Sequence, residues 1–390
     1  MRMEQIYNIV NDITTEVLGE GNVVNEDLSN IVDIGRAFEN ASSLDNYVKK
    51  LIDHIGKVVF VNRPYTGRAP SVLMDGWEYG SILEKIRGDL PEATENESWG
   101  LENGASYDVN IFTQPQVAVK FFNDRTTFEI PQSVTERQVK SAFSSAAQMN
   151  GLISMLNTDV NNSMTVKTDS LIMRTINAAI GETLHDAFPS GTYHGVTSNR
   201  AVNLLYMYNN SLPAGSPSLT ASEAMHDAGF LRFAALTMKK YIRRMQDMSR
   251  VFNIGGTARF TPADMMHVVM LADFKEATDV YLYDGPGQFN TENIRLPGSI
   301  ETVSFWQGSG TSYSLSDISA INIKTPSGDT VNASNILGVI FDRDTLGVAN
   351  IDRRVTSNYN GKAEFWNYWH KFDAGYFLDL NENFVVFYMA

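Results

Sequence analysis

The chain has 390 residues, of which 43% are hydrophobic and 19% charged, and this length and composition predict two or three folded units. Its formal net charge of −14 argues against non-specific binding of nucleic acid, because phosphates are neutralised by clustered lysines and arginines. The sequence contains no cysteine, which excludes disulfides, cysteine nucleophiles and thiolate metal sites.

The sequence shows neither a long apolar stretch nor a secretory signal. No run reaches the roughly 18 consecutive apolar residues that a membrane-spanning helix requires. The N-terminal residues lack the apolar segment and the small-residue cleavage site of a signal peptide. We therefore expect no membrane partner and folding in a cytoplasm.

Residues 1–56 predict an arm made of helices. Apolar side chains recur there in three groups at the i, i+3, i+4 spacing of a helix face. The groups are Ile6, Ile9, Ile13 and Val17; Leu28, Ile31, Val32 and Phe38; and Leu44, Val48, Leu51, Ile52 and Ile55. Residues 57–61 then have the composition of a strand.

Residues 57–131 predict a long excursion from the body of the protein. Acidic residues from Asp89 to Glu102 follow one another without an intervening Lys or Arg, which is typical of a solvated loop tip. Beyond this tip, Val117, Val119 and Phe121 alternate with other residues and predict a strand with one apolar face. A two-stranded excursion is marginal by itself, so we expect neighbouring subunits to cover these three side chains.

A long helix is predicted after residue 131 as the spine of the fold. Ser133 and Glu136 fit a capping box, in which two side chains satisfy free backbone amides at a helix start. Helical spacing of apolar residues then continues to residue 156, and the polar stretch 157–163 is expected to interrupt or bend the helix. The spacing resumes from Leu171 to Leu184.

The second half of the chain mixes helices and strands, so the fold class is α+β. Residues 189–219 are rich in Ser, Gly, Pro and Asn and predict a crossing between domains. A capping box at Thr220 and Glu223 predicts a long helix with these residues inward: Leu231, Ala235, Met238, Ile242, Met245 and Phe252. Strands are predicted at 268–271, 300–306, 336–341 and 349–356, with a short helix after residue 271 and a loop at 308–330.

The last thirty residues contain two runs rich in aromatic side chains. The runs at 364–372 and 384–388 meet at Gly375 and predict strands, because aromatic and β-branched residues favour extended structure. Gly361, Gly375 and the polar stretch 379–383 are expected to bound them. These runs alone are equally consistent with any antiparallel sheet that closes a core.

No catalytic motif occurs in the sequence. It contains no H-E-x-x-H, no G-x-S-x-G and no Walker loop, so we expect no enzymatic activity, no cofactor and no metal. The triplet of Asp342 and Asp344 around Arg343 could share a divalent cation, or it could be a polar turn after a strand.

Taken in order, these segments resemble the major capsid proteins of tailed bacteriophages, most closely those of small short-tailed phages. The resemblance lies in the order of the segments 51–60, 138–156 and 231–253, followed by VIFDRD at 339–344 and FWNYW at 365–369. It implies a Hong Kong 97-type shell fold, in which an extended E-loop lies over the adjacent subunit. The implied division is an N-terminal arm at 1–56, the E-loop at 57–131, a peripheral domain with the spine helix at 132–190, an axial domain at 191–345 and return strands at 346–390.

The resemblance also implies partners and a place in the virion. The expected assembly consists of hexamers and pentamers of this chain in an icosahedral shell, which encloses double-stranded DNA without sequence-specific binding. Scaffolding and portal proteins are expected to take part. Some relatives form a covalent cross-link from a lysine; Lys85 and Lys120 lie in the expected loop, but no acceptor is identifiable and no cross-link is predicted.

The one concentration of basic residues admits two interpretations. Lys239, Lys240, Arg243, Arg244 and Arg250 lie together in the predicted axial domain. They could contact packaged DNA or an acidic neighbouring subunit. Alternatively, they form a solvated face near a helix C-terminus, where cations offset the helix dipole.

Two other functions remain open at the level of sequence. The same fold could form a nanocompartment shell around a cargo enzyme. A carbohydrate-active enzyme or binding module could instead use Trp306, Trp366 and Trp369 as stacking platforms, with Asp342 and Asp344 as acids.

Overall fold

The computed structural model describes residues 3–18, 72–74, 83–88, 117–135, 146–283, 300–307, 314–325 and 328–390, together with single positions between these ranges. The helices are α1 (Met3–Leu18), α2 (Ala146–Ala187), α3 (Leu204–Ser211), α4 (Ala221–Ala224), α5 (Ala228–Met245), α6 (Ala272–Tyr283) and α7 (Leu315–Ile318). The strands are β1 (Leu73–Met74), β2 (Leu83–Gly88), β3 (Val117–Phe122), β4 (Arg125–Thr135), β5 (Ala201–Asn203), β6 (Met266–Leu271), β7 (Ile300–Val303), β8 (Ile321–Lys324), β9 (Thr330–Ala333), β10 (Ile336–Asp342), β11 (Leu346–Asn360), β12 (Phe365–Leu378) and β13 (Phe384–Tyr388).

A five-stranded sheet in the order β5-β13-β10-β6-β7 forms the centre of the core. Strand β10 runs antiparallel to β13 and β6, while β5 and β7 join in parallel at the two edges. Every residue of β10 and of β13 is buried. Their continuous apolar sequences allow this, because a strand covered on both faces needs no polar alternation. Helices α2, α3 and α6 contact this sheet.

A second sheet, in the order β1-β11-β12-β4, carries the aromatic end of the chain. Strands β11 and β12 form a long antiparallel hairpin, and β4 pairs along the other side of β12. The predicted break at Gly375 is wrong, since β12 continues through this residue, which pairs with Ala349 and Arg125. The chain reverses before β13 at residues 379–383, the polar stretch that was also predicted to bound these runs.

Helix α2 is continuous over 42 residues, about 63 Å at 1.5 Å per residue. The predicted interruption at 157–163 is therefore wrong, because helix propensity is a weak preference that tertiary packing overrides. The predicted apolar positions in its second half are buried, namely Leu171, Ile172, Ile176, Ile180 and Leu184. The helix contacts β4, β11 and β12 of the second sheet and β13 of the central sheet, so it connects the two.

The capping box predicted at residue 133 does not begin a helix. Ser133 lies in β4, where its hydroxyl donates to the Asn367 side chain at 2.6 Å. Strand β4 crosses the expected domain boundary at residue 131, and Pro131 is tolerated because β4 is the edge strand of its sheet. Pairing with β12 therefore outweighs the local capping signal.

The capping box of Thr220 and Glu223 is present, but it begins only the four-residue helix α4. The longer helix α5 starts after Asp227, whose carboxylate accepts from the Phe230 amide at 2.6 Å. The predicted inward side chains are buried, including Phe252, which lies beyond the helix: Leu231, Ala235, Met238, Ile242, Met245 and Phe252.

Other predictions have mixed outcomes. Helix α1 confirms the first helix of the arm, and strand β6 followed by α6 confirms the strand and helix near residue 271. The predicted strand at 300–306 ends at Val303. The predicted loop at 308–330 contains α7 and β8 in its described part, and β9 begins at its last residue. Most of the remaining arm and the predicted strand at 57–61 lie outside the described residues.

Among the helices of the described ranges, none is both long enough and apolar enough to cross a membrane.

Candidate assembly interface

Strands β2 and β3 form an antiparallel hairpin, called here the hairpin. Successive side chains of a strand point to opposite faces, so the hairpin has two different surfaces. The pairs Ile86 with Val119 and Gly88 with Val117 belong to its outer face. Lys85 with Lys120, together with Arg87, belongs to the inner face, which is turned toward the body of the protein.

The outer face carries four exposed apolar side chains, called here the apolar strip. Their exposed fractions are 63% for Ile86, 56% for Val117, 44% for Val119 and 65% for Phe121. The prediction that Val117, Val119 and Phe121 lie on one face of a strand is thus confirmed. Strand β2 adds Ile86 to it.

The inner face is bound to the body by ion pairs, called here the clasp. The Lys85 ammonium lies 2.8 Å from Asp379 and 3.0 Å from Glu382. The Lys120 ammonium lies 2.7 Å from the other carboxylate oxygen of Asp379, and Arg87 pairs with Glu382. Lys85 also donates to the backbone carbonyl of Asp344 at 2.9 Å, so these cations bind two separate turns of the body.

The acids of the clasp are buried and rigidly held. The side chains of Asp379 and Glu382 are 1% and 3% exposed, and both lie in the reversal between β12 and β13. Burial raises the pKa of Asp379, but hydrogen bonds from Lys120 and Lys85 outweigh that effect and keep its pKa below the ordinary value. The ionised carboxylate is therefore the favoured form, and it requires the cations of the hairpin.

An apolar contact lies where the hairpin joins the second sheet. The ring of Phe122 at the end of β3 lies 5.5 Å from the ring of Phe377 in β12. Strand β4 begins three residues later, and its first residue, Arg125, pairs with Gly375. The hairpin is thus joined to the body at this end by covalent continuity and ring packing, and along its length by charges.

Four of the five predicted basic residues lie toward the C-terminal end of α5, and Arg250 follows the helix. Lys240, Arg243 and Arg244 are exposed, whereas Lys239 is half-buried and burial lowers its pKa. Arg243 donates to the Gln246 side chain at 2.9 Å, and the Arg244 guanidinium lies 5.6 Å from the ring centroid of Tyr241. This placement fits cations that offset a helix dipole. A contact with DNA or with an acidic neighbour stays a prediction.

The residues proposed for carbohydrate chemistry do not form a site. Trp306 is 1% exposed, and its indole nitrogen donates to the Ile336 carbonyl at 2.8 Å, so it offers no stacking platform. Asp342 is buried, accepts from the Thr261 hydroxyl at 2.7 Å, and lies in a turn closed by the Thr345 amide. Burial raises its pKa, which hydrogen bonds from the Asp344 amide and Thr261 oppose. The triplet is therefore a polar turn after a strand.

Trp366 and Trp369 are half-buried in β12, and the fully buried rings of that strand belong to Tyr368 and Phe372. Within the described ranges, no three His, Asp or Glu side chains are placed to hold a metal ion.

Sequence reasoning missed Ile86, Arg87 and the two acids of the clasp. Strand β2 reads Leu-Glu-Lys-Ile-Arg-Gly, in which apolar and charged residues do not alternate, so periodicity does not predict a strand there. Lys85 and Asp379 are 294 positions apart, so no local pattern joins them. Lys85 and Lys120, considered for cross-linking, form ion pairs in this structure.

The long helix α2 contacts both sheets and the hairpin is docked on the body, in a mixed helix and sheet fold of the Hong Kong 97 type. A chain in the structure of the head fiber and inner core protein gp22 of native bacteriophage P68 matches this fold with a TM-score of 0.52 at 8% identity, covering 85% of this chain and 86% of that chain. A chain from the capsid of Staphylococcus phage Andhra has a TM-score of 0.49 at 10% identity, with the same coverage of 85% and 86%.

The family model for the Phi29-like phage major capsid protein matches residues 10–388, and this chain belongs to that family. No curated protein matches it. The chain is therefore a phage major capsid protein, a component of the virion that assembles into a shell as oligomers. The comparisons give no support to the nanocompartment or carbohydrate alternatives.

Proposed function

We propose that this chain self-assembles into hexamers and pentamers of an icosahedral shell, in which the apolar strip of each subunit is covered by the adjacent subunit. The shell encloses a double-stranded DNA genome without sequence-specific binding, has no enzymatic activity of its own, and assembles in the host cytoplasm with scaffolding and portal proteins. We also propose that the chain divides after residues 56, 131, 190 and 345 into an arm, an E-loop, a peripheral domain, an axial domain and the return strands.

The observation that carries this proposal is the difference between the two faces of the hairpin. The charged side chains of its inner face form ion pairs with the body, while its outer face exposes four large apolar side chains to water. Apolar side chains clustered on one exposed surface are typical of an interaction site. A hairpin of two strands gains little stability by itself, so covering this face stabilises both the hairpin and the assembly.

Symmetry explains why a second copy suits this surface. The strip of one subunit meets a different surface of the next, and a head-to-tail contact of this kind closes into a ring when the rotation permits. Each subunit of a closed shell is then held at several interfaces at once, so modest individual contacts yield a stable particle.

The proposal is tested by Phe121→Ser in the full-length protein. The matched control is Val166→Ser on α2, because Val166 is equally exposed at 65% and lies outside the hairpin. Size-exclusion chromatography and negative-stain microscopy measure the yield of particles and capsomers, and thermal melting checks the fold. We expect Phe121→Ser to lose particles while its melting temperature is retained, and Val166→Ser to assemble.

Wild-type particle yield from Phe121→Ser, and from the double variant Val119→Ser with Phe121→Ser, would show that the strip is not a subunit contact.

A further inference from the structure

We infer that the clasp sets the angle of the hairpin, so that Lys85, Arg87 and Lys120 are positioning residues that aim the apolar strip at the neighbouring subunit. The inference about the angle holds for a single subunit. Its consequence for assembly rests on the proposed function.

The body half of the clasp is a fixed platform. The Asp379 amide donates to the Thr345 carbonyl at 2.6 Å, and the Ile254 amide donates to the Leu380 carbonyl at 3.0 Å. The Thr257 hydroxyl donates to the Asn381 carbonyl at 3.1 Å. The reversal that carries Asp379 and Glu382 is therefore tied to two other segments and cannot follow the hairpin if the hairpin moves.

The hairpin half has two attachment points separated along its length. The first is the joint at Phe122, which packs on Phe377 just before β4 begins. The second is the clasp, whose outermost member Arg87 pairs across the hairpin with Ala118. Four residues separate Ala118 from Phe122, or roughly 13 Å of strand. Two points at this separation define an angle, whereas the joint alone would leave the hairpin free to pivot.

The chemistry of the clasp favours the docked orientation of the hairpin. Charge-assisted hydrogen bonds are short, and Lys85 and Lys120 bind different oxygens of Asp379, so the docked orientation satisfies both contacts together. Because the Asp379 and Glu382 side chains are buried, separation of these pairs would leave uncompensated carboxylates in the body. An apolar contact of the same size would bind the hairpin without defining its angle as sharply.

The charges around the clasp nearly balance only while the hairpin is docked. The body contributes Asp342, Asp344, Asp379 and Glu382, with Arg259 at 3.9 Å from Glu382 and Arg343 in the adjoining turn. The hairpin contributes Lys85, Arg87 and Lys120, while Glu84 belongs to its outer face. Removal of the hairpin's cations therefore leaves four neighbouring carboxylates with only two arginines. The resulting excess of negative charge makes the undocked state less favourable than the docked one.

The test uses distances between spin labels in full-length protein that is kept unassembled. The natural chain has no cysteine, so Gly88→Cys on the hairpin and Asn358→Cys on β11 place two labels without a background. Both positions are exposed, and a side chain at residue 88 meets no atom within 4 Å. The variants are Lys85→Met with Lys120→Met, which keeps side-chain length but removes both partners of Asp379. Lys371→Met is the control, because Lys371 pairs with Glu129 outside the clasp.

We expect a single narrow distance for the parent and for Lys371→Met, and a distribution at least twice as wide for the double methionine variant. Lys85→Arg with Lys120→Arg should restore the narrow distance, which a loss of packing would not predict. A narrow, unshifted distance in the double methionine variant overturns the inference.

Particle formation separates this inference from the proposed function. If both hold, the double methionine variant yields particles of mixed diameter or incomplete shells, whereas Phe121→Ser yields none. If the clasp variant has a widened distance but particles of wild-type yield and uniform diameter, the clasp positions the hairpin without aiming the strip, and the consequence for assembly is wrong.

Discussion

The central sheet and the hairpin bury their apolar residues in opposite ways. In β10 and β13 every side chain is covered by the chain's own helices and strands. In the hairpin the polar face is turned inward, toward Asp379 and Glu382, and the apolar face is turned outward. A domain core places apolar groups inside because their burial drives folding. The hairpin inverts this arrangement, which is why we propose that a neighbouring subunit covers it.

This difference separates two kinds of stability in one chain. The central sheet contributes to the free energy of unfolding of a single subunit. In our proposals the strip contributes to association, and the clasp contributes to the geometry with which the strip is presented. Substitutions in the two regions should therefore affect different measurements, and the following predictions test that separation.

The largest effect on unfolding is expected from Phe387→Ala. Phe387 in β13 is fully buried, with its ring 5.4 Å from that of Tyr241. Loss of a buried ring leaves a cavity and should cost about 3–5 kcal/mol in chemical denaturation. Phe121→Ala removes the same side chain from the hairpin and should cost less than about 0.5 kcal/mol. Equal losses from both variants would show that the strip is part of the subunit's own core.

A smaller loss is expected from Trp306→Phe. This change removes the indole donor that binds the Ile336 carbonyl and leaves that buried acceptor unsatisfied, at a cost of about 1–3 kcal/mol. The control is Trp369→Phe, because Trp369 is only half-buried on the second sheet. We expect a clearly smaller change in the midpoint of urea unfolding for the control. The reverse order would contradict the placement of Trp306 in the core.

The pH dependence of stability should reveal His370 in β12. Burial lowers the pKa of this imidazole, and neither ring nitrogen has a hydrogen-bond partner in the described part of the chain. The unfolded state therefore binds the proton more readily than the folded state, and stability is lost as pH falls below about 6.5. His370→Leu should reduce that loss, while His194→Leu, in an exposed loop, should leave it unchanged.

The clasp should be lost at a lower pH than the one at which His370 is protonated. The pKa of Asp379 is lowered, so its ion pairs persist above the ordinary aspartate pKa of about 3.9 and are lost only as pH falls through the lower folded value. We expect the body to weaken from about pH 6.5 downward before the hairpin is released. Spin-label widening at pH 5 without loss of structure would contradict this order.

The smallest effect on unfolding is expected from Ile86→Ser. Ile86 is 63% exposed in the single subunit, so its replacement should change the free energy of unfolding by less than about 0.5 kcal/mol. Its effect should instead be seen in particle yield, measured by size-exclusion chromatography of the assembled fraction. A destabilised monomer would mean that Ile86 packs on its own subunit.

The elements predicted well from the sequence are those with a strong local pattern. The apolar runs at 268–271 and 336–341 are buried strands, and the spacing from Leu171 to Leu184 marks the buried face of a helix. The failures have local signals that tertiary contacts outweigh. Ser133 and Glu136 match a capping box, but Ser133 pairs with Asn367 across a sheet instead. Residues 157–163 are polar, yet they continue the long helix.

The amino-acid sequence by itself determined that the chain contains a strand with Val117, Val119 and Phe121 on one side, because alternation along an extended backbone is a local property. Only the tertiary structure decided which side of that strand is left open. Lys85 and Lys120 reach Asp379 from 294 and 259 positions away, and these ion pairs hold the charged face inward. Contacts over such separations depend on how the two sheets are assembled around α2, which no periodicity in the hairpin's own residues contains.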